Sequence, residues 1–216
     1  RSNRTVYDRP SLQSGVVPKD WAHSDRYGYP STFTDLLVLK VPGSDLAVTD
    51  PKIRRLLPMA EAFRNAALRS HSSNAPFLSP HEKHHLLSKT GVPIAWLYIG
   101  LEDGVLLNWP GNNEYGLDYD PRKRPWYTGA KDTRNTQWGT LYQGASGFSM
   151  LLPCNRPLHD TDGKVIGVAG LDLALETIIE LLKPTQPEIL HTYLVDEEGL
   201  IVVSTAHQGM NLGPGI

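Results

Sequence analysis

Thirteen residues, Asp118 to Ala130, carry the side chains best suited to chemistry: Asp-Tyr-Asp-Pro-Arg-Lys-Arg-Pro-Trp-Tyr-Thr-Gly-Ala. Three cations and two acids sit among aromatic and proline rings, with neither helical nor strand periodicity. Pro121 and Pro125 each restrict the residue before them to extended backbone. Asp120 and Arg124 are therefore expected in a stiffened, irregular connection. Arg124 offers a planar fork matched to a carboxylate, and Trp126 and Tyr127 offer ring faces and a hydroxyl beside it. That combination can hold a small anion or zwitterion without a metal. The competing reading is an exposed basic turn whose rings merely cover a sheet edge.

A second set, His81-Glu82-Lys83-His84-His85, matches the zinc-hydrolase pattern His-Glu-x-x-His. The chemistry needs two imidazoles one helical turn apart and a carboxylate base. Here His81, Glu82 and His85 fall on the first turn after Pro80, and Glu102, the nearest candidate for a third ligand, falls in a tight turn. An incidental, solvated histidine cluster is the preferred reading, and no motif calls for a cofactor.

The elements that must position these residues follow from pattern. With 216 residues, 40% of them apolar and 20% charged, the chain suits one large domain or two small ones and gives no case for disorder. A formal charge of -2 argues against a nucleic-acid partner. The single cysteine, Cys154, excludes an internal disulfide and is expected as a small residue in a strand. No run of 18 apolar residues is present to cross a membrane. A start at Arg1 and a loop-like end, Gly213-Pro214-Gly215-Ile216, suggest a fragment of a longer protein.

Residues 1–50 are turn-rich and irregular, with one apolar run, Leu36 to Val41. Asp50 and Pro51 suit the cap and first position of a helix whose stripe runs Ile53, Leu56, Leu57, Ala60, Phe63 and Ala67, divided or kinked by Pro58. Ser79 and Pro80 open a second helix ending near Lys89. Strands are expected at Ile94–Ile99 and Val105–Trp109 around an acidic, glycine-closed turn, then at Trp138–Tyr142, Gly147–Cys154 and Lys164–Leu173. A helix over Leu173–Leu182 stops before Pro184, and a last hairpin joins Thr192–Val195 to Leu200–Ser204. Helices followed by an antiparallel meander indicate an α+β fold, helices packed on a sheet. The division expected is an irregular 1–50, a ligand-binding unit over 51–184, and the start of a second, smaller unit over 185–216.

Tyr119, Arg124, Trp126 and Tyr127, followed by Thr128-Gly129-Ala130, resemble the signature of the double Cache family of extracytoplasmic sensor domains. Tyr98-Ile99-Gly100 before it agrees in order, as do Gly139-Thr140-Leu141-Tyr142 and Asp160 to Asp172 after it. The resemblance covers about Ile94 to Leu182. It implies a PAS-like antiparallel sheet flanked by helices. It also implies a place in a chemoreceptor, sensor kinase or cyclic-dinucleotide enzyme anchored in a membrane, possible as a homodimer, with the domain periplasmic or extracellular. In the amino-acid-binding subset that the chain resembles, the site would consist of Tyr119, Arg124, Trp126, Tyr127, Tyr142 and Asp172. Arg124 with the Trp126 indole would hold a ligand carboxylate, and Asp172 with tyrosine hydroxyls its ammonium. The chain departs from some such sensors at Gly144, where they carry an acid. The alternatives are the zinc hydrolase above, or a Cache domain without a small ligand in which Asp172 caps a helix and Arg124 pairs with Asp118 or Asp120.

Overall fold

The computed structural model describes residues 21–206, apart from 113, 117, 185 and 197. The loop-like C-terminal residues and the first twenty lie outside that range. Three strands open the described chain: β1 (Ala22–Ser24), β2 (Tyr29–Thr32) and β3 (Leu37–Lys40). Only β3 lies in the expected apolar run, and its Leu37 and Val38 are fully buried. β1 and β2 lack periodicity, yet Trp21, Tyr27 and Phe33 around them are buried in the main core. Tertiary burial of three rings holds this extended chain in place.

Helix α1 (Leu46–Leu56) starts four residues before the expected cap, so Pro51 lies inside it. Thr49 N–H already donates to Asp45 O at 2.9 Å, which begins the helical ladder ahead of Asp50. Pro51, the sixth residue, fixes a helical φ but has no N–H to bond to the carbonyl four residues before it, so the ladder skips one bond there. Pro58 divides the helices as expected, standing as N-cap of α2 (Met59–His71). Ile53, Ala60, Phe63 and Ala67 of the apolar stripe are buried.

The short helix α3 (Pro80–His85) is built by a reciprocal cap. Ser79 Oγ accepts from Glu82 N–H, and the Glu82 carboxylate accepts from Ser79 N–H at 2.8 Å. Such caps stabilise by about 1 kcal/mol. Glu82 is thus a helix-start residue, while His81 and His85 are exposed. Among the described residues no group of three or more His, Cys, Asp or Glu could hold a metal. The His-Glu-x-x-His pattern here is a helix start.

Strands β4 (Ile94–Leu101) and β5 (Val105–Trp109) form the expected hairpin, with Gly104 at φ 79° closing its turn. β6 (Gly111–Asn112) leaves this hairpin to pair with β2. The long connection that follows contains a 3-10 turn, Pro121–Lys123, and helix α4 (Pro125–Thr128). Asp120 (φ -123°, ψ 115°) and Arg124 (φ -83°, ψ 147°) are extended, as a following proline requires.

The strand expected over Trp138–Tyr142 is two short pieces, β7 (Gln137–Trp138) and β8 (Tyr142–Gln143), both paired with β9 (Met150–His159). The break falls at Pro153, which accepts from Gly139 N–H but has no N–H to return to the ladder. β9 also begins later than expected, because Gly147 at φ 71° still belongs to the preceding turn, and it carries Cys154 half-buried. β10 (Val165–Ala174) and α5 (Leu175–Leu182) follow, then the hairpin β11 (Tyr193–Val195) and β12 (Ile201–Ser204).

The main sheet is antiparallel in the order β3-β5-β4-β10-β9-β7, with β8 also on β9. α2 packs against β4 and β5, and α5 against β9, β10 and β12. This is the α+β, PAS-like architecture expected: an antiparallel sheet flanked by helices. β11 and β12 form a separate sheet whose Val203 joins Leu152 and Ile178 in a second, smaller apolar cluster.

Candidate functional site

Alternation along the strands puts one row of side chains from each onto a shared face. Trp96, Tyr98 and Gly100 of β4 stand in register with Asp172, Gly170 and Val168 of β10. Asn108 of β5 is opposite Tyr98, and Asn155 of β9 is opposite Gly170. The connection carrying α4 folds over this face. Two glycines make the close approach possible. A Cβ on Gly100 would lie 2.7 Å from Trp126 Cη2, and a Cβ on Gly170 would lie 2.1 Å from Asn155 Oδ1 and 2.5 Å from Tyr98 Cε2. The Trp126 indole therefore lies on bare backbone of β4, and the Tyr98 ring crosses bare backbone of β10.

The result is a tight, partly open cavity with room for only about 20 Å³ of water-sized space, with Tyr119, Arg124, Trp126, Tyr142 and Asp172 in its wall. Five of the six expected residues thus come together from the connection, β8 and β10. Tyr127 is not part of that wall: its ring is buried and its hydroxyl donates to Glu102 Oε1 at 2.7 Å. Glu102, weighed above as a metal ligand, is the acceptor that fixes this tyrosine. Arg122, not Arg124, takes Asp120, with Nη2 2.8 Å from the carboxylate. Nor does Asp172 cap α5, whose N-cap is Ala174 without a side-chain bond.

The electrostatics of the cavity rest on two groups. Asp172 is only 2% exposed, and its oxygens accept from Tyr98 (2.8 Å) and Tyr142 (2.8 Å) hydroxyls. Burial pushes its carboxyl up to about 7, against the lowering effect of the two hydroxyls and of the Arg124 charge. Arg124 is held between the Tyr119 and Tyr142 rings, its guanidinium carbon 5.8 Å and 5.9 Å from their centroids. Its Nη2 donates to Gln143 O at 3.3 Å, while its buried Nε has no hydrogen-bond partner among the described residues. Of the lining residues, Arg124 is the sole cation and Asp172 the sole acid. The Trp126 indole acts to lower the pKa of the Tyr119 hydroxyl, against the larger raising effect of burial. Gly144 supplies no second acid, and a Cβ there would stand 3.0 Å from Leu151 Cδ1.

Sequence reasoning passed over Tyr98 as a site residue, along with Asn108, Tyr115 and Ser146, which also line the cavity. The signal for Tyr98 was the two-residue spacing of Trp96, Tyr98 and Gly100 on β4. Tyr115 and Ser146 come from irregular chain, where no periodicity could have marked them.

The chain is similar to several known proteins. Residues 80–180 match the family model described as methyl-accepting chemotaxis protein-like, first PDC sensor domain. The methyl-accepting chemotaxis protein McpA of Pseudomonas putida is 33% identical over 108 residues, 50% of this chain and 17% of that protein. McpC of Bacillus subtilis is 31% identical over 121 residues, 55% of this chain and 18% of that protein. The chain thus spans less than a fifth of the length of either. The ligand-binding domain of the Pseudomonas aeruginosa amino-acid chemoreceptor PctB, solved with L-Arg, superposes with a TM-score of 0.46 at 26% identity, covering 72% of this chain and 64% of that one.

Proposed function

We propose that the chain, whose residues 80–180 match the model of a chemotaxis-receptor PDC sensor domain, binds an amino acid or related amine as the sensing part of a receptor. The observation that carries this reading is the pair of opposite charges left facing one cavity. Arg124 has a buried donor without a partner among the described residues, and Asp172 is a buried acid whose hydrogen-bond donors are neutral hydroxyls. Burying a zwitterion is favourable only when both its charges are matched. Arg124 receives the ligand carboxylate, with the Trp126 indole in the same wall as a second donor. Asp172, Tyr98 and Tyr142 surround the ammonium. Tyr127 supports the site from behind through Glu102.

The relatives named above are methyl-accepting chemotaxis proteins, and the amino-acid chemoreceptor PctB was solved with L-Arg. On this reading the domain is extracytoplasmic, its parent protein is membrane-anchored, and the domain performs no catalysis of its own. Signalling follows if the ligand contacts differ between two arrangements of the domain, since only differential affinity shifts an equilibrium. The binding unit takes in β3 and the core rings Trp21, Tyr27 and Phe33 as well as the expected 51–184, and the β11–β12 hairpin begins a second unit.

A thermal-shift screen of the twenty L-amino acids at pH 8, with propionate and propylamine as single-charge controls, tests the reading. A ligand at a hundred times its dissociation constant stabilises by roughly 2.7 kcal/mol, a visible rise in midpoint. At least one amino acid is expected to raise the midpoint while neither control does. No rise with any amino acid contradicts the reading.

A further inference from the structure

The hydroxyl of Tyr98 has two acceptors for one hydrogen: Asp172 Oδ1 at 2.8 Å and Asn155 Oδ1 at 3.1 Å. All three groups are buried, at 3%, 2% and 4% exposure respectively. With Asp172 ionised, Tyr98 donates to it. With Asp172 protonated, the acid can donate to the Tyr98 oxygen while Tyr98 turns its hydrogen to Asn155. Both protonation states are therefore hydrogen-bonded without moving a heavy atom, which a lone buried carboxylate would not achieve. The wall opposite completes the setting. Tyr142 on β8 donates to Oδ2, Tyr115 and Tyr119 reach over from the connection, and Arg124 acts on Asp172 through its charge without a hydrogen bond to it among the described residues.

Resting on the function proposed above, we infer that a proton occupies Asp172 in the empty site and is exchanged for the ammonium of the incoming ligand. Tyr98 and Asn155 are the positioning residues that give this proton its seat. Occupancy of the sensor then depends on pH as well as on ligand concentration. The balance is simple: the acid O–H loses its proton to solvent, and the carboxylate left behind pairs with the ammonium. Burial already holds the Asp172 carboxyl near 7, so the exchange falls within the neutral range. Below that midpoint the ionised fraction falls about tenfold per pH unit, and the apparent affinity with it.

Titration calorimetry at pH 6 and pH 8, each in two buffers of different ionisation enthalpy, reads the exchange directly. The probe is the L-amino acid with the largest shift in the screen at pH 8. Release of close to one proton per ligand is expected at pH 6 and little at pH 8, with binding roughly tenfold weaker at pH 6. Tyr98→Phe removes a hydroxyl that favours the ionised acid, so its affinity profile should move to higher pH, which a merely structural role would not produce. Equal affinity and no proton release at both pH values overturns the inference while leaving amino-acid binding intact. Absence of binding at pH 8 overturns both. Should Tyr98→Phe fail to fold, the two-buffer comparison on the wild-type chain still decides.

Discussion

Replacing Arg124 with alanine is expected to weaken amino-acid binding by roughly a hundredfold or more while leaving the unliganded fold close to unchanged. Truncating one partner of a buried, hydrogen-bonded charge pair costs about 2–5 kcal/mol, much of it from the charge left unpaired. Here the abandoned charge would be the ligand carboxylate, with only the Trp126 indole to receive it. The fold loses little because the Arg124 side chain makes one 3.3 Å bond, to Gln143 O, and two ring contacts. Calorimetric titration beside a thermal melt of the unliganded variant separates these effects. An affinity unchanged within about threefold, in a variant that melts normally, would place the ligand carboxylate elsewhere.

Exchanging Asp172 for asparagine is expected to change how the unliganded chain's stability depends on pH, and to abolish amine recognition. The carboxyl is raised in the folded chain from 3.8 to about 7. A raised acid contributes stability that is fully present below 3.8 and is lost as pH rises towards about 7. Within that window the folded chain holds the extra proton, so this group alone costs about 1.4 kcal/mol per pH unit. Asp120 has the opposite sign. The Arg122 guanidinium holds its carboxyl below the usual range, so its contribution is present at neutral pH and lost only as the solution becomes strongly acid. The two windows hardly overlap. Urea denaturation of both proteins at pH 5 and pH 8 should show the wild type losing about 2–3 kcal/mol relative to Asp172→Asn on going to pH 8. Parallel pH profiles would mean that Asp172 is not a buried, proton-holding acid. An ionised group that lowers the stability of the empty domain is what a binding site retains when function outweighs stability.

The parts of this molecule that follow short-range rules were legible in the sequence. Prolines 121 and 125 marked the extended residues before them, Pro58 divided the helices, and Ser79 with Pro80 marked the start of α3. The β4–β5 hairpin followed from apolar runs around a glycine-closed turn. The grouping of Tyr119, Arg124, Trp126, Tyr142 and Asp172 came from the likeness of several ordered motifs, because no local pattern links the connection to β10.

Long-range causes account for most of the rest. β1 and β2 exist because Trp21, Tyr27 and Phe33 are buried by the distant core, and nothing in their own sequence says so. The split of β7 from β8 depends on Pro153 across the sheet. Tyr127 was expected in the site by sequence position, but its hydroxyl follows Glu102, twenty-five residues earlier. Tyr98 joins the site only because Gly170 on the neighbouring strand leaves room for its ring. A glycine's vacancy is visible in a sequence, whereas the side chain that fills it is not.

The most direct test of the amino-acid site is a crystal structure of the chain with the ligand found in the screen. The expected result places the ligand carboxylate within hydrogen-bond distance of Arg124 Nε and the Trp126 indole, and the ammonium on Asp172 between the Tyr98 and Tyr142 hydroxyls. A ligand bound in the reverse orientation, or bound outside the cavity with Arg124 Nε still unpartnered, would contradict it.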